Sequence, residues 1–182
     1  MARNGFGIKC SQNYWNDIKP IFEYLEKEKE KETKWSELAD KENDVYIPLL
    51  KAFINEIKRS NELNKNVPKR MVEYLLGKYD FYKIISIDNR NVTQIQGYNL
   101  HGNLNKTSLT EIPRIKLPTK IVNIDFSLGS NNKVEICFDG GWQFSFRIHN
   151  ASTLVETSLK FDIQIIKMPD AIISIECPWK VE

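Results

Sequence analysis

Arg147, Lys160 and Asp162, with Gln143, His149 and Gln164 close by in the chain, are the side chains whose types and spacing first suggest chemistry. Arg and Lys donate to guanine N7 and O6, and Asp accepts from cytosine N4. A set of Arg, Lys, Asp and Gln can therefore read base edges in a DNA groove. Asn150, Ala151, Ser152 and Thr153 follow as a polar loop, suited either to capping a turn or to contacting a phosphate. The same residues also fit a blander arrangement, a solvated face whose charges pair with one another, Lys160 with Asp162 for instance.

Such a set needs a support that holds it on one side. Trp142, Phe144, Phe146 and Ile148 alternate with Gln143, Ser145, Arg147 and His149, and Phe161, Ile163 and Ile165 alternate with Lys160, Asp162 and Gln164. Successive strand side chains point to opposite faces, so both runs read as half-buried strands. Gly140-Gly141 makes a tight turn that joins the first run to Val134–Phe138 as a hairpin. Further strand candidates are 81–88, 92–99, 120–127, 133–139, 160–167 and 171–176, the last two expected as a pair. Leu100 to Pro118 reads mostly as loop.

The first 80 residues have helical spacing instead. Ser11 is a candidate N-cap ahead of Ile18, Phe22 and Leu25. A second helix starts near Asp44 with Pro48 in its first turn, its buried stripe being Tyr46, Leu49, Leu50, Phe53, Ile54 and Ile57. Asn66, Pro68 and Gly77 punctuate a third helix whose apolar face is Met71, Val72, Leu75 and Leu76. These elements predict an α+β fold in which an N-terminal helical layer (1–80) packs on a mainly antiparallel sheet in a β-rich region (81–182), the two forming one integrated unit.

Composition narrows the setting. No apolar run approaches a membrane span, and the first ten residues lack a signal-peptide core. Cys10, Cys137 and Cys177 suit neither a disulfide framework nor a zinc knuckle, which favours a reduced, cytoplasmic setting. Net charge is +2. The basic excess sits mainly in 45–83, where Lys58, Arg59, Lys69, Arg70 and Lys78 are candidates for attracting phosphates.

A metal-dependent nuclease needs acidic residues and a lysine on adjacent strands around the ion. Glu32-Thr33-Lys34 and Glu56-Ile57-Lys58 match an acidic-x-Lys triplet by letters but fall in helical segments, and Asp170 is followed by Glu176 to Lys180 at the wrong spacing. No phosphate-cradling glycine loop is present. Cys137, on an apolar strand with His149 across the hairpin, reads as a small buried hydrophobe more readily than as a nucleophile. Glu135, Asp139 and Asp170 are what remains for an unrecognised nuclease centre.

The run Phe144-Ser145-Phe146-Arg147-Ile148-His149-Asn150-Ala151-Ser152, then Val155-Glu156 and Ser158-Leu159-Lys160-Phe161-Asp162-Ile163-Gln164, resembles a signature of the HaeIII family of type II restriction endonucleases. Asn13-Tyr14-Trp15, Lys34-Trp35-Ser36-Glu37-Leu38, Tyr46-Ile47-Pro48, Leu75 to Lys83 and Lys116-Leu117-Pro118-Thr119 fit the same family in the same order. The resemblance implies Mg2+-dependent hydrolysis of double-stranded DNA at GGCC. It also implies that this chain corresponds to the C-terminal, target-recognition part of such an enzyme, because the family's catalytic core lies upstream. On that expectation the chain is catalytically silent alone, with no catalytic or metal-binding residue and no cofactor of its own, Mg2+ belonging to the full-length enzyme. The DNA-binding candidates are Gln143, Arg147, His149, Asn150, Ser152, Lys160, Asp162 and Gln164. Partners would be GGCC duplex and either the missing nuclease part or a second copy. A protein–protein module or inert remnant with a solvated polar face is the alternative, and exposed Tyr14, Trp15 and Phe22 would mark surface left by an absent neighbour.

Overall fold

In the computed structural model, which describes residues 10–104 and 112–179, the helical spacing resolves into three helices. Helix α1 (Gln12–Glu30) is capped by Ser11, whose Oγ accepts from the Tyr14 N–H at 3.0 Å, and it buries Ile18, Ile21 and Leu25. A π-type turn at Glu42–Tyr46 leads into α2 (Ile47–Leu63). The stripe on α2 is buried as its spacing predicts, except that Phe53 is only half-buried and two polar residues, Glu56 and Ser60, lie inside with it. Helix α3 (Val67–Leu76) buries Met71 and Val72. Asn66 occupies its N-cap position without making a side-chain capping bond, its backbone being helical (φ −84°, ψ −2°) where a capping residue is extended, and its N–H donates to Asn64 Oδ1 in the preceding turn.

Gly77 ends α3 at φ +103°, ψ 167°, a conformation that an L side chain tolerates poorly. A Cβ there would meet no neighbour within 4 Å, so the cost of adding one is backbone strain alone. Gly77→Ala should therefore lower stability by about 1–2 kcal/mol, and an unchanged urea midpoint would contradict this account of the helix stop.

The strands among the described residues are β1 (Phe81–Ile87), β2 (Val92–Tyr98), β3 (Ile121–Phe126), β4 (Lys133–Phe138), β5 (Gln143–His149), β6 (Lys160–Lys167) and β7 (Ile173–Pro178). They form two antiparallel sheets rather than one, with orders β1-β2-β7 and β3-β4-β5-β6. The expected pairing of residues 160–167 with 171–176 does not occur. β6 adds to β5, and the chain then passes Pro169 and the turn closed by Ile172 N–H to Pro169 O, so that β7 pairs with β2. The register explains the preference: Ile173, Ile175 and Cys177 fall opposite Gly97, Ile95 and Thr93, and Ile84, Ile95 and Ile175 form one cross-strand row.

The four-stranded sheet has one face in the core. Val134, Ile136, Phe138, Phe144, Phe146 and Ile148 are buried there against the helices, and Phe53 of α2 contacts Phe146 and Phe161 at centroid distances of 5.5 and 5.3 Å. Fully burying a side chain such as Phe144 contributes about 1.5–3 kcal/mol. Burying this face obliges the alternate residues of the same strands to form the opposite, polar face.

Candidate nucleic-acid interface

The turn at Asp139–Gly141, with Gly140 at φ +74° and Gly141 at φ +88°, sends β5 back along β4 as the glycine pair predicts. β6 then lies directly beside β5. His149 faces Lys160, Arg147 faces Asp162, Ser145 faces Gln164 and Gln143 faces Lys167. Six of the eight predicted residues (Gln143, Arg147, His149, Lys160, Asp162 and Gln164) are thus brought onto one two-stranded stripe.

Asp162 is the hub of the stripe. Its Oδ2 accepts from Arg147 Nη2 at 2.5 Å and its Oδ1 lies 2.9 Å from His149 Nε2. The hydrogen bond from Arg147 holds the Asp162 carboxyl below the ordinary range, with the nearby charges adding to it. His149 Nδ1 lies 3.3 Å from the Asn150 carbonyl, so both ring nitrogens face acceptors and the neutral ring satisfies only one of them. Asp162 thus pairs with Arg147 and His149, not with Lys160. Lys160 is exposed and has no hydrogen-bond or ion-pair partner among the described residues.

Asn150 and Ser152 do not join the stripe. Asn150 Nδ2 donates to the carbonyls of Ser152 and Leu154, and Ser152 Oγ accepts from the Leu154 N–H at 3.3 Å. That loop is fastened to the segment after α1 by Trp35 N–H to Thr153 O and by Val155 N–H to Thr33 O, and to the last turn of α1 by the Lys29–Glu156 ion pair. Its polar side chains maintain the loop that follows β5.

Two further cations stand on this face, Lys133 by ordinary alternation and Lys167 in spite of it. Lys133 of β4 stands opposite Arg147, and Lys167 reaches the row of Gln143 because a register shift between Gln143 and Phe144 takes up one extra residue of β6. Gln143 is steadied by Glu135, which also accepts from Ser127 Oγ at 2.8 Å. Of the residues expected to attract phosphates, Lys58, Lys69 and Lys78 are exposed, whereas Arg59 is held by Glu56 through Nε at 2.8 Å and Nη2 at 2.6 Å.

The candidate catalytic residues are structural where their contacts are seen. Asp139 accepts from the Thr119 and Lys120 backbones and from Thr119 Oγ1; burial opposes ionisation, but these bonds outweigh it and lower the carboxyl's pKa. Glu56 is buried under Arg59, and Glu176 pairs with Arg90. Cys137 is not on the apolar side. Val134, Ile136 and Phe138 take the core positions of β4, which leaves Cys137 on the polar face opposite Gln143, at the far end of β5 from His149. Burial and then Glu135 push its thiol up, away from the reactive thiolate. Among the described residues no group of three or more His, Cys, Asp or Glu is placed to hold a metal ion. No described helix is long and apolar enough to cross a membrane. Trp15 is 40% exposed, while Tyr14 and Phe22 are partly buried.

Known proteins place this geometry in context. The chain is 55% identical over 181 residues to the type II restriction enzyme HaeIII of Haemophilus aegyptius, an alignment covering 96% of this chain and 57% of that enzyme. The chain therefore spans little more than half the length of the curated relative it matches. No solved structure matches it. The family model for the HaeIII restriction endonuclease matches residues 2–169, nearly the whole chain, and the protein therefore belongs to the HaeIII restriction endonuclease family.

Proposed function

We propose that this chain is the target-recognition portion of a HaeIII-like type II restriction endonuclease and binds double-stranded DNA at GGCC through the β5–β6 stripe. The observation that carries this reading is the pairing of β5 with β6. It sets Arg147, oriented by Asp162, beside an unpaired Lys160, so that two guanine-type donors project from one rigid support. Asp162 retains acceptor capacity for a cytosine amino group and also fixes the Arg147 fork. Gln143 and Gln164 extend the same stripe, and His149 stiffens its end. Asn150 and Ser152 serve by holding the loop after β5 in place. Exposed Lys58, Lys69 and Lys78 supply sequence-independent attraction that weakens with salt.

In this reading the chain alone does not cut DNA. The Mg2+-dependent hydrolysis that the family resemblance implies belongs to a nuclease portion outside these residues, with a second copy as the other candidate partner. Fluorescence anisotropy of the purified chain at near-physiological salt, on a GGCC duplex and on a matched duplex with that site altered, is the direct test. Preference for GGCC is the expected result. Equal binding to both would reduce the stripe to phosphate contact, and no binding by folded protein would favour a protein–protein role for the polar face.

A further inference from the structure

Away from the β5–β6 stripe, positive charge gathers around a cavity of about 310 Å3 lined by Lys69 of α3 and by Leu100, Arg114, Ile115, Lys116 and Leu117. The extended segment 112–118 is pinned from inside. Ile112 and Ile115 are buried, the Ile115 N–H donates to Asn99 O at 2.8 Å, and Asn99 Nδ2 donates to Ile112 O at 2.7 Å. With those residues turned inward, Arg114 and Lys116 are left exposed beside α3. Arg114 uses one of its five N–H donors, Nε, on the Leu100 carbonyl at 3.4 Å, which anchors the guanidinium and leaves its fork open. Neither Arg114 nor Lys116 has a carboxylate partner among the described residues, and Lys69 has only the loose Glu73 contact at 3.8 Å. Among the described residues no acid lines the cavity.

The cavity also adjoins the stripe. Trp142 Nε1 donates to the Lys116 carbonyl at 3.4 Å, and Trp142 immediately precedes the Gln143–Lys167 row. A fixed arginine fork flanked by two lysines suits the tetrahedral oxygens of a phosphate. We infer that Lys69, Arg114 and Lys116 form a binding site for a backbone phosphodiester, extending the nucleic-acid interface past the Lys167 end of the stripe onto α3. The polynucleotide part of this inference rests on the reading of the chain as a DNA-binding protein; the affinity for phosphate does not.

Two measurements separate those parts. Titration with inorganic pyrophosphate, followed by amide NMR, should give saturable shifts centred on Leu100, Ile115 and Lys116, and these should vanish in Arg114→Ala/Lys116→Ala. Both substitutions are at exposed positions, and circular dichroism should confirm an intact fold. The same double variant should bind GGCC and altered duplexes about tenfold more weakly, by equal factors, with a salt dependence shallower by about one to two counterions. Shifts that scatter over surface lysines without saturating would overturn the site, as would a double variant with unchanged duplex affinity and salt slope. If the parent chain binds no duplex yet binds pyrophosphate at these amides, the phosphate site stands and the DNA reading fails.

Discussion

Replacing Arg147 by alanine should weaken binding to a GGCC duplex roughly thirty-fold, about 2 kcal/mol, while binding to a duplex lacking that site stays within about threefold. The asymmetry follows from the setting of the side chain. Arg147 is exposed on a strand whose other face is fully packed, and Asp162 holds one end of its fork, so the guanidinium is oriented before DNA arrives. A surface ion pair of this kind adds little to stability, so the variant should fold normally. Arg147→Lys keeps the charge but loses the fork and should fall between the two. The check is anisotropy on both duplexes with each variant. Equal losses on the two duplexes would assign Arg147 to a phosphate instead of a base.

Glu56→Ala should destabilise the fold by about 3 kcal/mol, at the low end of the cost of breaking a buried ion pair. Glu56 is 6% exposed and accepts four hydrogen bonds, from the Ser11 N–H and Oγ and from Arg59 Nε and Nη2. Removing the carboxylate takes from Arg59 its buried counter-charge and loosens the N-terminus of α1 from α2. The low end applies because the Arg59 side chain, 29% exposed, can partly rehydrate. Burial alone would raise the Glu56 carboxyl, but the bonds from Arg59 and Ser11 outweigh it and bring it below its ordinary 4.5. A carboxyl lowered by folding contributes fully above its unfolded pKa and loses that contribution as pH falls through the folded one. Urea unfolding of parent and variant should therefore give a constant gap from pH 6 to 8 that narrows below about pH 4. A gap that stayed undiminished below about pH 4 would mean that packing of the side chain, not its charge, is what the variant loses.

Local signals in the sequence carried the elements whose cause is local. Ser11 caps α1, Gly77 ends α3, and Gly140-Gly141 turns β4 into β5, because each conformation depends on a residue type at one position. The β5–β6 stripe was legible for a similar reason, since period-two alternation reports directly which side chains share a face. Features that depend on distant partners were not. The clamp between Ser11 and Glu56 joins residues 45 apart in the chain, and nothing near Glu56 distinguishes it from a solvated helix acid. Lys167 joins the stripe only through a bulge that reverses the parity of alternation, and Cys137 was placed on the wrong side because Phe138, not Cys137, takes the last core position of β4. Asp162 was expected to be free or paired with Lys160. Which of two cations takes it depends on a register that only the assembled sheet defines.

The pairing of β7 with β2 bears on the order in which the protein takes shape. Val92 finds Pro178 across the whole of the four-stranded sheet, so the β1-β2-β7 sheet encloses that sheet within its own connection. Strands β3 to β6 follow one another in sequence and close by short steps; the second sheet waits for a segment that follows every other described strand. During synthesis the β1–β2 hairpin thus spends a period with the outer edge of β2 bare and an incomplete isoleucine row, open to wrong pairings until β7 arrives. The β5–β6 stripe can therefore mature ahead of the rest, and the protein's vulnerability to aggregation falls on the β1-β2-β7 sheet.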